Sequence, residues 1–262
     1  MGKGSIGIFD SGFGGLSVWR YLVNDIPNKR MVYLADSGYC PYGHRSYDDI
    51  RDRTRSIVDF FIDQFSVKIV VVACNTATAA AIDFLRDHYS IPLVGMEPAI
   101  KPAALQTQSK VVGVLATEGT FNGRLFRQTS EKYANGIKML IQPGHGLVEF
   151  IEQGITSGNE VESLLQKYIS PMVEQGADNL VLGCTHYPFL APTIEKLFPK
   201  LNLIDPAPAV SLRTRNLIAE RNIEDEIADG QTYFLTTGDD RLLDDFVLKN
   251  LNKKIKSKRI EL

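Results

Sequence analysis

Two cysteines, Cys74 and Cys184, each follow a short apolar run and precede hydroxyl, amide or imidazole side chains. The apolar runs are Ile69–Ala73 and Asn179–Gly183, and the polar residues that come next are Asn75, Thr76, Thr185 and His186. Runs of this length, rich in β-branched residues, are typical of strands buried on both faces of a parallel sheet. Each cysteine is therefore expected at the carboxyl end of a strand, facing the N-terminus of a helix that follows it, which is where open α/β sheets bind their ligands.

Several kinds of thiol chemistry can be compared with this pattern. A redox pair needs Cys-x-x-Cys, which the sequence lacks. A cysteine phosphatase needs an arginine shortly after its cysteine, and neither motif has one within ten residues. A zinc site made of Cys74, Cys184 and His186 lacks a clear fourth ligand. A Cys-His-Asn hydrolase needs one nucleophilic cysteine and leaves the second cysteine without a role.

A matched pair of thiols suits the removal of a proton from one face of a carbon and the delivery of a proton to the other face. Racemisation runs in both directions at one site, so each base must act as the acid in the reverse reaction. This requirement favours two chemically similar groups. A thiol with an ordinary pKa of about 8.5 is ionised to a few per cent at neutral pH. A helix N-terminus or a hydrogen-bond donor beside the sulfur raises that fraction.

The sequence repeats its first strand as well as its cysteine motif. The predicted strand Ser5–Asp10 and the glycine-rich loop Ser11–Gly15 have counterparts in Lys110–Ala116 and Thr117–Thr120. The following cysteine lies 64 residues beyond the end of the first strand and 68 residues beyond the end of its counterpart. We therefore predict two homologous α/β halves. The glycine-rich loop also resembles an anion-binding loop, but it has neither the third glycine of the dinucleotide fingerprint nor a Walker lysine.

The remaining elements are predicted from hydrophobic periodicity and turn residues. Further strands are expected at Met31–Ala35, Ile91–Gly95, Lys138–Ile141, Leu201–Ile204 and Thr232–Thr236. Helices are expected at Leu16–Val23, Tyr47–Gln64, from an N-cap at Asn75 or Thr76 to about Tyr89, from Asn159 to about Gly176, at Ala209–Arg221 and at Arg241–Leu251.

Composition argues against several classes of protein. A formal net charge of −2 over 262 residues argues against nucleic acid as the main ligand. No apolar run approaches the ~20 residues of a membrane span, and the start of the chain does not resemble a signal peptide. An odd number of cysteines, three in all, favours reduced thiols in the cytoplasm over a disulfide framework. The third cysteine, Cys40, lacks the repeated context of the other two.

Four motifs in this order resemble glutamate racemase, a member of the aspartate/glutamate racemase family. They are Phe9–Leu16 (Phe-Asp-Ser-Gly-Phe-Gly-Gly-Leu), Pro41-Tyr42-Gly43, Ala73–Ala77 (Ala-Cys-Asn-Thr-Ala) and Gly183–Pro188 (Gly-Cys-Thr-His-Tyr-Pro). The resemblance implies cofactor-independent, two-base racemisation of L- and D-glutamate, with no metal, that supplies D-glutamate for bacterial peptidoglycan. It also implies two pseudo-symmetric α/β domains with mainly parallel sheets, an active site in the interdomain cleft, and a cytoplasmic homodimer that binds neither membrane nor nucleic acid.

The resemblance also assigns residue roles. Cys74 would act on the D-enantiomer and Cys184 on the L-enantiomer, with Asp10 and His186 beside the thiols. Glu149 matches an acidic position that the family places near the second thiol. The substrate's amine and carboxylates would be held by a set drawn from all four motifs and the second-half loop, namely Asp10, Ser11, Pro41, Tyr42, Gly43, Asn75, Thr76, Thr117, Thr120, Thr185 and His186.

The sequence departs from the family in the segment Gln142–Gly146, which replaces a bulkier apolar run and leaves the cleft wall and His145 unassigned. We predict that residues 1–97 and 209–262 form one domain and residues 98–208 the other. Two alternatives stay open: a racemase of the same fold for aspartate or another amino acid, and a non-catalytic amino-acid-binding regulatory protein. Retention of both cysteines, Asp10 and His186 argues against the second.

Overall fold

The computed structural model describes residues 6–224 and 229–262, so Ser5 of the predicted first strand lies outside the described residues. The strands, numbered along the chain, are β1 (Ile6–Asp10), β2 (Met31–Ala35), β3 (Ile69–Val72), β4 (Leu93–Gly95), β5 (Val111–Ala116), β6 (Lys138–Pro143), β7 (Asn179–Gly183), β8 (Asn202–Ile204), β9 (Thr232–Thr236) and β10 (Lys258–Arg259).

The helices lie mostly between consecutive strands. They are α1 (Leu16–Asp25), α2 (Tyr47–Phe65), α3 (Asn75–His88), α4 (Ile100–Gln106), α5 (Glu118–Phe121), α6 (Arg124–Tyr133), α7 (Leu147–Glu152), α8 (Asn159–Glu174), α9 (Ala191–Leu197), α10 (Ala207–Glu220) and α11 (Asp240–Leu251). The longer predicted helices agree with these bounds to within two residues, whereas the short helices α4 to α7 were not predicted.

The strands form two sheets with the same internal order. One has the order β10-β9-β2-β1-β3-β4 and the other β6-β5-β7-β8, and the strand pairs of the described residues are parallel. β5 occupies the place of β1, and β7 that of β3. The repeat predicted from the sequence is therefore confirmed: two α/β domains, each with a cysteine after the strand beside its central one. The domain limits at residues 97 and 208 stay a prediction.

The inner strands are buried along their whole length, which explains their continuous apolar sequence. Every residue of β1, β2, β3 and β7 is buried. Helices on both faces of a parallel sheet exclude water from it, so alternation between apolar and polar residues is absent. Burial of each Val, Leu or Ile side chain stabilises the fold by about 1.5–3 kcal/mol. The sheets are therefore a rigid base for the residues at their carboxyl edge.

The N-cap of α3 differs from the prediction. Cys74, and not Asn75 or Thr76, is the N-cap, and its Sγ accepts a hydrogen bond from the N–H of Ala77 at 3.4 Å. The reason is that β3 ends at Val72, so the chain enters the helix one residue earlier than capping preferences alone indicate. The thiol therefore lies at a helix N-terminus, and the Asn75 side chain is not used as a cap.

The second cysteine leads into a different structure. A short 3₁₀ turn, Tyr187–Leu190, with Pro188 near its start, separates Cys184 from α9. The basic tail adds a two-residue edge strand, β10, beside β9. Among the described residues, none of the helices combines the length and apolar content that crossing a bilayer requires.

Candidate active site

Cys74 is a buried thiol between a loop and a helix. Its Sγ accepts from Ala77, and its S–H is directed at Oγ of Ser11, 3.6 Å away. Burial raises the pKa of Cys74 to about 12, the negative charge of Asp10 adds to this, and the two hydrogen bonds oppose it. The resting form of Cys74 at neutral pH is therefore the protonated thiol, which can deliver a proton.

Cys184 is paired with an imidazole instead. Its Sγ lies 3.7 Å from Nδ1 of His186, and Nε2 of the same ring lies 2.6 Å from Oε1 of Glu152. Burial lowers the pKa of His186, but the hydrogen bonds and charges of Cys184 and Glu152 outweigh burial and hold this pKa well above its ordinary value. An imidazolium stabilises an adjacent thiolate. Cys184 and His186 thus form a pair that can take up and release a proton.

Asp10 connects the two halves of the protein through hydrogen bonds. Its Oδ1 accepts from the N–H of Gly12 and its Oδ2 from the hydroxyl of Thr185, both at 2.9 Å. Burial raises the pKa of this fully buried carboxyl to about 6, although the nearby His186 and both hydrogen bonds oppose the rise. The pKa of Asp10 therefore lies close to neutral pH, and its carboxylate joins the glycine-rich loop of one half to the residue that follows Cys184 in the other.

One cavity brings both sulfurs together. Its lining joins the two cysteine motifs, the Pro-Tyr-Gly turn, the first residue after β1 and after β5, and one residue of α7: Ser11, Pro41, Tyr42, Gly43, Cys74, Asn75, Thr76, Thr117, Val148, Cys184, Thr185 and His186. The cavity volume is about 20 Å³. This is close to the space of a single water molecule. An amino acid can therefore enter only if the cavity walls move apart.

The Asn75 side chain in this cavity has no partner. It is 3% exposed, and neither its amide oxygen nor its amide nitrogen makes a hydrogen bond among the described residues. A buried polar group without a hydrogen bond costs about 1–3 kcal/mol. Such a group beside two thiols is suited to bind a polar ligand, because a ligand with donors and acceptors removes that cost.

Most of the residues predicted for the site lie in this cavity, and three do not. Asp10 lies behind Thr185, and Thr120 lies behind Thr117, whose hydroxyl is 2.9 Å away. Glu149 is exposed on α7 and lines neighbouring cavities, not this one. Tyr42 lines the cavity, but its hydroxyl donates to Oδ2 of Asp36 at 2.6 Å and is not directed at a ligand.

Glu152 is the site residue that the sequence did not reveal. It lies three residues beyond Glu149 on α7, and it contacts both His186 and the N–H of Phe13, whose nitrogen is 2.6 Å from Oε1. The structure thus places Glu152, and not Glu149, beside the partner of the second thiol. The spacing of two carboxylates three apart on one helix was the available signal, since such residues lie on the same helix face.

The glycine-rich loop directs its N–H groups at site side chains. Gly12 donates to Asp10 and Phe13 donates to Glu152. A Cβ at Gly14 would lie about 2.4 Å from Nδ1 of His186, so a larger residue there would displace the ring. The donors expected of an anion-binding loop are therefore used inside the protein to position two carboxylates.

Three side chains of types that can bind a metal ion come together at one edge of the site. Cys40, Glu152 and His186 offer ligand atoms that all lie within 4.8 Å of one another. This set differs from the combination of Cys74, Cys184 and His186 that the sequence offered.

Comparisons with known proteins find similar sequences and similar folds. The profile of the family described as Asp/Glu/Hydantoin racemase matches residues 19–211. A glutamate racemase from Stutzerimonas stutzeri is 46% identical over 220 residues, which are 83% of each chain. A crystal structure of a glutamate racemase isoform from Bacillus anthracis superposes with a TM-score of 0.87 at 28% identity, covering 99% of this chain and 98% of that one. A glutamate racemase from Francisella tularensis in complex with D-glutamate gives a TM-score of 0.84 at 28% identity, with coverages of 99% and 98%.

Proposed function

The chain belongs to the Asp/Glu/hydantoin racemase family, and on that premise we propose that it interconverts L-glutamate and D-glutamate with Cys74 and Cys184 as the two bases. The single observation that carries this proposal is the cavity that both sulfurs line, at equivalent places in two equivalent sheets. An amino acid bound there has one thiol on each side of its α-carbon.

Proton transfer from L-glutamate begins at Cys184. The thiolate removes the α-proton from its side and becomes a thiol, and the electron pair stays on the α-carbon and its carboxylate. Cys74, a thiol at rest, then delivers its proton to the opposite face and becomes a thiolate. D-glutamate is released, and the two sulfurs have exchanged protonation states. The reverse reaction uses the same steps in the opposite order.

Each thiol has its own supporting groups. His186, held by Glu152, stabilises the thiolate of Cys184 and exchanges a proton with it. Asp10 acts on Cys74 through its charge, because an ionised Asp10 raises the pKa of that thiol and a protonated one does not. The support is therefore asymmetric although the thiols are matched, with an imidazole on one side and a carboxylate on the other.

Substrate carboxylates are held by neutral donors. None of the cavity-lining side chains in the described part of the chain is a lysine or an arginine, whereas the amide of Asn75 and the hydroxyls of Ser11, Thr76 and Thr117 are present, and the hydroxyl of Thr185 donates to Asp10. The start of α3, a helix of 14 residues, adds N–H groups and the positive end of its dipole. Neutral donors bind the carboxylates without the strong ion pairs that would slow product release.

The wider setting belongs to the same proposal. The product D-glutamate serves bacterial peptidoglycan synthesis, the enzyme works in the cytoplasm, and two copies form a homodimer. Residues 1–97 with 209–262 form one domain and residues 98–208 the other, and the membership of the two sheets supports this division.

The proposal is tested by circular dichroism or chiral chromatography of L-glutamate, L-aspartate and other amino acids after dialysis against a chelator, with no cofactor added. We expect turnover of glutamate in both directions and much slower turnover of aspartate. Preferential racemisation of aspartate would instead assign the chain to the alternative within the fold. Binding of glutamate without turnover would indicate the regulatory alternative.

A further inference from the structure

A second chemical site borders the catalytic cavity. Cys40 lies in the loop after β2, Glu152 at the end of α7, and His186 after β7, so three distant segments converge. The thiol, carboxylate and imidazole ligand atoms lie within 4.8 Å of one another. These three ligand types together suit Zn²⁺, which is borderline-soft and binds sulfur, nitrogen and oxygen.

The approach to this cluster favours cations. A separate cavity of about 340 Å³ is lined by Cys40 and Glu152 and, in addition, by Glu149 and by Asp239, whose carboxylate is paired with Arg241 at 3.1 Å, so that the glutamates supply most of the negative charge. All of the charged side chains that line it in the described part of the chain are acidic. A cleft lined by one sign of charge raises the local concentration of ions of the other sign. The larger cavity thus attracts a divalent cation and disfavours the anionic substrate.

Cys40 has no part in the two-thiol reaction, so that reaction does not explain its position beside Glu152 and His186. We propose that Cys40, Glu152 and His186 form an inhibitory Zn²⁺ site, an inference that rests on the proposed racemase function. On binding, the Cys40 thiol and one ring nitrogen of His186 each release a proton to solvent. The sulfur, that nitrogen and a Glu152 oxygen then coordinate the ion, and water completes the tetrahedron.

Coordination requires the ligand atoms, now within 4.8 Å of one another, to adjust their separations, and the N–H of Gly14, whose nitrogen is 3.2 Å from Nε2 of His186, to release that ring nitrogen. Tetrahedral zinc ligands with bonds of about 2.0–2.3 Å lie roughly 3.3–3.7 Å apart. The contact of 2.6 Å between His186 Nε2 and Glu152 Oε1 must therefore widen, and the metal replaces the hydrogen-bonded proton. Metal-ligating histidine usually donates its other ring N–H to a second group. Nδ1 already faces Cys184 at 3.7 Å.

Zinc at this position inhibits because it occupies His186. With zinc on Nε2 the ring keeps its Nδ1–H toward Cys184, but it can no longer cycle between imidazolium and neutral imidazole, because loss of the Nδ1 proton would leave an imidazolate. Proton exchange with Cys184 therefore stops, and Glu152 no longer supports an imidazolium. Zinc therefore lowers kcat by acting on the partner of one thiol while leaving the substrate-binding residues on the Cys74 side in place.

Cobalt binding to the whole enzyme tests the site. Co²⁺ serves as a spectroscopic probe because a thiolate ligand produces a charge-transfer absorption band in addition to the metal's own bands. We expect the wild type to bind one Co²⁺ with that band, and added Zn²⁺ to displace it. Cys40→Ser should lose the band and bind Co²⁺ at least about tenfold more weakly. Cys184→Ala, the matched control, should keep the band.

Activity gives the second measurement. Without metal, Cys40→Ser should racemise glutamate at the wild-type rate, which also shows that it folds. Zn²⁺ should inhibit the wild type and should inhibit Cys40→Ser at least tenfold less strongly. A band that survives in Cys40→Ser, or zinc inhibition equal in the two proteins, would overturn the proposed site. Failure of the metal-free wild type to racemise any amino acid would reject the proposed function instead, and the cobalt spectra would still decide whether the metal site exists.

Discussion

Nε2 of His186 lies 2.6 Å from Oε1 of Glu152, and this contact makes the second thiol's surroundings differ from those of the first. The ring is 1% exposed, so its charge depends on its partners and not on water. Glu152 is itself held by the N–H of Phe13 from the first domain's glycine-rich loop. The protonation state of His186 is therefore coupled to the packing of the two domains.

Replacement of Glu152 by glutamine tests this coupling. The change keeps the shape of the side chain but removes the charge that holds the pKa of His186 above its ordinary value. A hydrogen bond to a charged group contributes about 1.5–3 kcal/mol. We expect kcat/KM to fall about 10–150-fold in both directions, since the equilibrium constant of racemisation fixes their ratio. Steady-state kinetics of both enantiomers provides the measurement.

Glu149→Gln on the same helix is the matched control, and we expect its kcat/KM to stay within about threefold of wild type because Glu149 is exposed. The pH dependence separates a charge effect from a structural one. In Glu152→Gln, the loss of imidazolium should occur at lower pH than in the wild type. Equal losses in the two variants, or an unshifted profile, would contradict the role given to Glu152.

Asn75→Ala should separate stability from activity. The amide of Asn75 is buried without a hydrogen bond in the described structure, so its removal loses no internal bond and relieves a desolvation cost of about 1–3 kcal/mol. Alanine is also the best helix former, and the residue begins α3. We expect a free energy of unfolding equal to or above that of the wild type, together with a kcat/KM at least tenfold lower. Urea unfolding and steady-state kinetics measure the two quantities.

A clear loss of stability in Asn75→Ala would mean that the amide has a structural role. Thr78→Ala provides a contrast on the same helix. Its hydroxyl donates to the carbonyl of Val72 at 3.1 Å and accepts from the N–H of Met96 at 2.9 Å. We therefore expect Thr78→Ala to be destabilised by about 1–3 kcal/mol.

The thiols and the hydroxyl groups near them are predictable from sequence because parallel strands end at one edge of a sheet. The buried apolar runs before Cys74 and Cys184 determine where the strands lie. The repeated order of elements shows which strands of the two halves are equivalent. Local sequence then determines what lies at each strand end. This explains why Ser11, Thr76 and Thr117 lie where the repeat predicts.

Residues that depend on contacts between distant segments are not predictable in this way. The choice between Glu149 and Glu152 depends on where α7 begins and on Phe13, which lies 139 residues before Glu152. The direction of the Tyr42 hydroxyl depends on Asp36, which is itself held by Arg53 at 2.6 Å. Neither contact has a signal within a window of a few residues.

Asp10→Asn should change the pH dependence of stability. The carboxyl has a pKa of about 6 in the folded protein and an ordinary value of 3.8, so the folded state binds the proton more tightly. The resulting stability is fully present below about pH 3.8 and is lost as the pH rises through about 6. An ionised Asp10 therefore costs the wild type about 2–3 kcal/mol at pH 7.5. Relative to wild type, Asp10→Asn should be more stable at pH 7.5 than at pH 4 by about that amount.

Urea unfolding at the two pH values measures this difference. Asp36→Asn is the control, and we expect it to lower the free energy of unfolding. Asp36 is fully buried and paired with Arg53, so its neutralisation leaves an uncompensated guanidinium. Breaking such a pair costs about 3–5 kcal/mol. If Asp10→Asn lost stability equally at both pH values, an ionised and buried Asp10 would not destabilise the wild type as we infer.

The three cysteines should differ sharply on substitution. Cys74→Ala and Cys184→Ala should each reduce racemisation by at least about 10²–10⁴-fold, the usual contribution of a positioned acid or base. Cys40→Ser should stay close to the wild-type rate, because Cys40 does not line the cavity between the thiols. Chiral chromatography with chelator present measures all three. A substantial rate in either alanine variant would show that its cysteine is not an obligatory base.

Solvent hydrogen should appear in the product and not in the substrate. From L-glutamate in D₂O, Cys184 removes protium and Cys74, exchanged with solvent beforehand, delivers deuterium to the opposite face. Early in the reaction the D-product should therefore carry deuterium at its α-carbon while recovered L-glutamate stays protiated. From D-glutamate the roles of the two thiols reverse, and the label again enters only the product. NMR or mass spectrometry after chiral separation measures both pools.

The burial of the thiols makes this labelling a stringent test. Cys74 and Cys184 are 4% and 6% exposed, and the cavity between them is only about 20 Å³, so exchange with solvent occurs mainly when the site is open. With typical turnover of about 1–10³ per second, each free enzyme has time to exchange before the next substrate binds. A single base serving both faces would return its own protium, so strong protium retention in the product would contradict two bases. Deuterium entering substrate as fast as product would show that the intermediate exchanges freely with water, and the closed cavity would then have no role in keeping the two protons apart.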